Sequence, residues 1–151
     1  MPALRKLSVA AGAALLTMLA VGCKDDGPTG PQDSAECATP VGAVVIDGMV
    51  AGTLTSASCL LADQTHADVW TLEITAITTL QLDLASDDFD AVLFVRNSSG
   101  RLVVEDDDSG PDLDSRIVHT FTPGSYRVFA NTFETGELGA YTLTVAPFTA
   151  P

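Results

Sequence analysis

Asp68–Leu84 reads DVWTLEITAITTLQLDL, and its two halves carry the same pattern on either side of a short break. Trp70, Leu72 and Ile74 alternate with Thr71 and Glu73; after the break, Leu80, Leu82 and Leu84 alternate with Gln81 and Asp83. A period of two places every second side chain on the same face of an extended chain, so each half is a β-strand with one apolar and one polar face. The same reading holds on both sides of this stretch. Ala43–Ile46, Met49–Leu54, Ala91–Arg96, Leu102–Glu105, Arg116–Phe121, Ser125–Asn131 and Ala140–Ala146 are short runs rich in β-branched, aromatic and leucine residues. Gly, Asp, Asn and Pro clusters separate them, as in antiparallel sandwiches and barrels. Asn97-Ser98-Ser99-Gly100 has hairpin-turn chemistry, and Pro123-Gly124 marks a tight turn into the Tyr126 strand. No window sustains helical periodicity. One-sided alternation predicts two sheets packed face to face, each with a solvated side. The expected fold is all-β: an antiparallel, jelly-roll-like β-sandwich of about eight to nine strands.

Composition sets the limits. The chain has 151 residues, 20 acidic against 7 basic, a net charge of −13. Without residues 1–22, which hold Arg5 and Lys6, five basic residues face twenty acidic ones, a net charge of −15. That length has room for one core. The acid excess repels phosphate backbones, and only Arg96, Arg101, Arg116 and Arg127 lie along the body to contact one, which argues against nucleic-acid binding. With 46% hydrophobic and 18% charged residues in regular blocks, the acidity does not signal disorder.

Residues 1–22 read as a secretory signal: Arg5-Lys6, an apolar run Leu7–Val21, then small residues before a cysteine. Fifteen residues at 1.5 Å each fall short of the ~30 Å hydrocarbon core, so cleavage is favoured over a permanent span. Leu19-Ala20-Val21-Gly22-Cys23 resembles the lipobox of bacterial lipoproteins, with Ala20 where Leu is usual. The resemblance implies acylation of Cys23, which would anchor the domain to a membrane through buried acyl methylenes. A plain signal peptide with a free Cys23 is the alternative. Lys24, where Asp marks inner-membrane retention in some Gram-negative sorting patterns, leans toward the outer membrane and a cell-envelope location.

Residues 23–40, ending in KDDGPTGPQDSAECATP, form the expected tether, and residues 41–151 the expected domain. Lipidation of Cys23 leaves Cys37 and Cys59, an even pair in an oxidising compartment. A disulfide across that 22-residue separation would be worth ~3 kcal/mol in the chain-entropy model; two buried free thiols are the alternative.

The ordered pieces from about Val50 to Val145 resemble the bacterial pre-peptidase C-terminal domain, a small β-sandwich often appended to secreted peptidases. They are Gly52-Thr53-Leu54, then Asp68-Val69-Trp70-Thr71-Leu72 where that family usually has Asp-x-Tyr-x-Phe, and Leu80-Gln81-Leu82-Asp83-Leu84. Phe89-Asp90-Ala91-Val92-Leu93, Gly100-Arg101-Leu102, Asp106-Asp107-Asp108 and Ser115-Arg116-Ile117 follow, then Gly124-Ser125-Tyr126-Arg127-Val128 and Gly139-Ala140-Tyr141-Thr142-Leu143. No single piece is specific; order and spacing carry the resemblance. It implies a non-catalytic module for secretion, surface attachment or binding. Such domains usually follow a catalytic domain, whereas only a signal and a tether precede this one. Related collagenase domains bind calcium and collagen.

Asp87-Asp88-Phe89-Asp90 and Glu105-Asp106-Asp107-Asp108, with Asp112 and Asp114 close behind, fall at predicted strand ends. In a sandwich, loops two connections apart return to one end, where carboxylates can converge. Calcium takes six to eight oxygens, and Asp88, Asp90, Asp107 and Asp108 are the candidate ligands. An EF-hand is excluded, because starting at Asp106 places Gly110 one position early and starting at Glu105 places Arg116 where the bidentate Glu belongs. The competing reading is solvated Asx-turns, with Asp90 and Asp106 or Asp107 accepting from local amides.

No catalytic residue emerges. His66 lies in a predicted loop and His119 alternates with Ile117 and Phe121; there is no GxSxG elbow, HExxH pair, P-loop or dinucleotide fingerprint. Trp70 shares a face with Leu72 and Ile74 and reads as a core anchor rather than a sugar platform. Phe129 and Phe133 are the weaker platform candidates. The sequence thus predicts a lipid-anchored, non-catalytic binding or adhesion module for an extracellular protein or glycan, with calcium as its candidate cofactor. A purely structural accessory domain is the alternative.

Overall fold

The computed structural model describes residues 35–150; the signal, Cys23 and the tether up to residue 34 lie outside the described residues. The strands follow in chain order as β1 (Gly42–Ala43), β2 (Gly48–Leu54), β3 (Cys59–Leu60), β4 (His66–Ile74), β5 (Thr78–Ala85), β6 (Ala91–Asn97), β7 (Leu102–Asp106), β8 (Ser115–Phe121), β9 (Gly124–Thr132) and β10 (Gly139–Pro147). They form two sheets packed face to face. The order in the first is β1-β4-β9-β6-β7, with β3 also paired to β4; in the second it is β2-β10-β5-β8. Every pairing is antiparallel except β1 on β4. No helix among the described residues is long and apolar enough to cross a membrane.

The alternating faces meet between the sheets. Leu72 and Ile74 from β4, Leu80, Leu82 and Leu84 from β5, Tyr126 and Val128 from β9, and Tyr141, Leu143 and Val145 from β10 form one buried cluster. At ~25 cal/mol per Å² of apolar surface, burying each such leucine or valine is worth about 1.5–3 kcal/mol, and this seam is what fixes the strand register.

Three expectations need correcting. The strand count among the described residues is ten: the two-residue β3 is too short to show a period, and Ala43–Ile46 contracts to Gly42–Ala43 because the chain turns toward Asp47, in a left-handed conformation (φ 61°). The first sheet is solvated on its outer face only in part, at Glu73 and Ser125. Cys37, Leu61, Ala67, Val69, Phe94 and Phe129 form a second buried cluster there, where the Phe94 and Phe129 rings stack at 4.4 Å and Arg96 lies over both. The fold accordingly begins before residue 41: a 3-10 turn at Ala35–Ala38 brings Cys37, fully buried, onto that face, so residues 35–40 belong to the domain and not to the tether. A Cys37–Cys59 disulfide, with Cα atoms 5.1 Å apart, fastens this covering segment to β3.

Candidate functional site

Strand direction decides where the acids go. β5, β7 and β9 end, and β6, β8 and β10 begin, at the same end of the sandwich, so the connections 86–90, 107–114 and 133–138 all lie there. Hydrogen bonds stitch them together. Phe133 N donates to Asp90 O (2.9 Å), Ala91 N to Leu113 O (3.0 Å), Ser86 N to the Asp114 carboxylate (3.0 Å) and Ala140 N to Asp88 Oδ2 (2.8 Å). The Ser115 hydroxyl, fully buried, donates to Ala91 O (2.6 Å) and lies 3.0 Å from Asp106 O, tying β8 to the two acidic segments.

Between these loops opens a cleft of about 550 Å³ lined by Ser86, Asp87, Asp88, Phe89, Asp90, Asp112, Leu113, Glu134 and Glu137. Asp90 is its electrostatic focus. Partial burial, followed by the charges of Asp108, Glu137, Asp107 and Glu134, pushes its carboxyl above the usual carboxylate range. One oxygen of Asp90, Oδ1, and one of Glu137, Oε2, are shielded from solvent without a hydrogen-bond partner. Of the four candidate ligands, Asp90, Asp107 and Asp108 therefore share one field. Asp88 lines the cleft with one of its oxygens taken by the Ala140 amide. Glu134 and Glu137 were missed by sequence reasoning, because each stands alone in the stretch FETGEL, where no run of acids marks it.

Asp106 has a different task. Its Oδ2 accepts from Ser109 N (3.0 Å) and Arg116 N (2.8 Å). Burial raises its carboxyl, but the Ser109 and Arg116 hydrogen bonds outweigh that and hold it below the usual range. It is the Asx-turn acid of the second cluster, fixing the loop rather than offering itself to a ligand.

The remaining oxygens are hard donors of the kind calcium selects, and two are buried and unsatisfied. Among the described residues, however, no three His, Cys, Asp or Glu side chains converge closely enough to hold a metal ion. Asp90 and Glu137 carry the two shielded oxygens, and Asp108, Glu137, Asp107 and Glu134 act on Asp90 through their charge.

The other singled-out residues sit elsewhere. Trp70 spans the two sheets: its Nε1 donates to the Tyr141 hydroxyl (2.9 Å), which donates to Asp68 Oδ2 (2.8 Å). Asp68 is only 7% exposed and Tyr141 3%. Burial pushes the Tyr141 hydroxyl well up; the Trp70 bond opposes this and Asp68 adds to it. Gly52 on β2 makes the arrangement possible, since a Cβ there would lie 2.2 Å from the Tyr141 hydroxyl. Trp70 is thus a half-buried strut and not a platform. Phe129 is fully buried in the second cluster, and Phe133 is exposed. His66 opens β4 rather than lying in a loop, its Nδ1 3.2 Å from Ser58 O, while His119 stacks edge-on against Phe121.

This is the architecture of a small two-sheet β-sandwich domain. The crystal structure of the pre-peptidase C-terminal domain of collagenase from Bacillus anthracis is similar to it, with a TM-score of 0.56 and 14% identity, covering 71% of this chain and 96% of that one. At that identity the likeness is one of fold. No family model matches the sequence, and no curated protein does.

Proposed function

We propose that the chain is a non-catalytic module of the cell envelope, anchored through an acylated Cys23, that engages an extracellular protein or glycan with a calcium ion taken up at its acidic end. The observation that carries the calcium part is the Asp90–Glu137 pair: two buried, unsatisfied carboxylate oxygens in a field of like charges. A divalent cation there would relieve the repulsion and satisfy both oxygens, with Asp107, Asp108 and Glu134 drawn in as loops 107–114 and 133–138 close on it. The tether between Cys23 and the fold would hold the cleft clear of the membrane.

Thermal melts in calcium and in chelator test this directly. The melting temperature is expected to rise with calcium in the wild-type chain and to stay put in Glu137→Gln. A melting temperature indifferent to calcium would sink the cation and leave the accessory role as the reading. Glycan and matrix-protein arrays probed with and without calcium then test the binding role, and mass spectrometry of the native protein tests the anchor: an unmodified Cys23 or a retained Met1 contradicts it.

A further inference from the structure

The two sheets expose very different edges. β7 carries Glu105 and Asp106, β8 carries Arg116 and His119, and β1 and β3 are two residues each. β2 is a seven-residue end strand, GMVAGTL, with no charge and no proline. One side of it is fully paired to β10, from Gly48 opposite Val145 to Leu54 opposite Gly139; the other side faces away from its sheet. Soluble proteins ordinarily blunt such an edge with lysine, proline, a bulge or extreme shortness, and β2 has none of these. Exposed apolar residues flank it, while on the side toward β10 and β5 Ala51, Gly52 and Thr53 share a cleft with Asp87, Asp88 and Asp114. Met49 is 69% exposed, Val45, packed beside Gly48, is 66% exposed, and Val41, which lines the cleft beside Thr53 and Thr55, is 58% exposed. The single charge within this stretch of chain is Asp47, at the tip of the turn before β2.

We propose that β2 is a self-pairing edge, joining two copies of this chain antiparallel into one continuous eight-stranded sheet. Charge selects the occupant. A basic partner is steered toward the acidic end, whereas a second copy, equally acidic, can approach closely only where both surfaces are uncharged. Full overlap of a seven-residue strand with itself sets the two-fold axis on its middle residue, Ala51. Met49 of each copy then lies opposite Thr53 of the other on the outer face, and Val50 opposite Gly52 on the inner. The interface is isologous and closed, so it stops at a dimer. It does not depend on the calcium reading.

Sedimentation of the full chain carrying Cys23→Ser, so that no acyl chain drives association, tests the proposal. A monomer–dimer equilibrium is expected, and because two acidic bodies meet, the dimer should gain as salt rises from ~0.01 M to ~1 M and the Debye length shrinks from about 30 Å to about 3 Å. Ala51→Lys and Ala51→Glu each set like charges face to face across the axis, on a solvent-facing position that leaves the monomer intact. Both should weaken the dimer about fivefold or more, while Ile77→Lys, on a distant exposed turn, should not. A chain that stays monomeric at every salt and concentration overturns the proposal. So does a dimer that Ala51→Lys strengthens and Ala51→Glu weakens, which would report net charge alone, or one that neither variant touches.

Discussion

Tyr141→Phe deletes one oxygen and leaves the ring, its packing and its strand untouched. In the folded chain that oxygen donates to the Asp68 carboxylate at 2.8 Å and accepts from the Trp70 indole at 2.9 Å. A hydrogen bond to a charged group is worth about 1.5–3 kcal/mol and one between neutral groups about 0.5–1.5 kcal/mol. The Asp68 carboxylate, 7% exposed, has little water to turn to. Half-buried Trp70 recovers part of its bond from solvent, so the expected loss is about 2–3 kcal/mol. A domain of this size loses about 3–5 °C of melting temperature per kcal/mol, which puts the fall at about 6–15 °C. Urea unfolding at pH 7 with the disulfide intact should show a lower midpoint and an unchanged slope. Paired with Trp70→Phe in a double-mutant cycle, Tyr141→Phe should give a coupling of about 0.5–1.5 kcal/mol. A loss below about 0.5 kcal/mol, the range of an ordinary surface substitution, would refute the reasoning. It would mean that the three groups are solvated in the folded protein and do not join the sheets.

Gly52→Ala should cost at least as much as Tyr141→Phe in the same urea assay, since a methyl 2.2 Å from the hydroxyl must displace it from Asp68 and Trp70 together. Reducing Cys37–Cys59 should cost ~3 kcal/mol and, by freeing the segment that covers Phe94 and Phe129, should raise the binding of a hydrophobic dye; a reduced protein that melts like the oxidised one would contradict this. Asp106→Ala should lose about 1–2 kcal/mol, the value of a lost cap, with two amides left unpaired. Because the folded carboxyl of Asp106 sits below its unfolded value of 3.8, its contribution is fully present above that value. It fades as pH falls through the folded one. Asp90 has the opposite sign: its folded carboxyl is raised, so its cost is absent at low pH and grows as pH rises from 3.8 through the folded value. Asp90→Asn should therefore stabilise the calcium-free protein at pH 7 and abolish that part of the pH dependence; a destabilised variant would show the Asp90 carboxylate to be satisfied.

The sandwich was legible because its inner faces follow a period of two: Leu72 and Ile74, Leu80, Leu82 and Leu84, and Tyr141, Leu143 and Val145 are all buried as the alternation requires. What escaped was whatever period cannot encode. Val69, Phe94 and Phe129 fall out of phase and read as outward-facing residues, and only the crossing of Cys37 and Leu61 over the first sheet, a tertiary event, gives them a core of their own. Trp70 has the right phase and still stays half-buried, because its indole turns to the Tyr141 hydroxyl. Among the acids, runs such as Asp106-Asp107-Asp108 marked one end of the molecule. They could not show that Asp106 is taken up by amides and Asp88 by Ala140, or that Glu134 and Glu137 complete the cleft.

Charge is divided by the fold rather than spread over it. Chain direction gathers the carboxylates of three connections at one end, while Arg96 and Arg127, cross-strand partners, lie with Arg101 toward the opposite end of the first sheet. The β2 strand itself is uncharged. These two features respond to solution conditions in different ways. Like charges around Asp90 are relieved by protons or by a bound cation, and bulk salt screens them less because they are partly buried. Repulsion between two copies across β2 is long-ranged and solvent-exposed, and salt screens it well. Stability that follows calcium and pH, together with association that follows salt and the charge at residue 51, would assign the two behaviours to two separate surfaces. Ala51→Glu should weaken the dimer about fivefold or more and leave the calcium-dependent melt unchanged, whereas Glu137→Gln should do the reverse; either variant altering both readouts would show that the two surfaces are coupled.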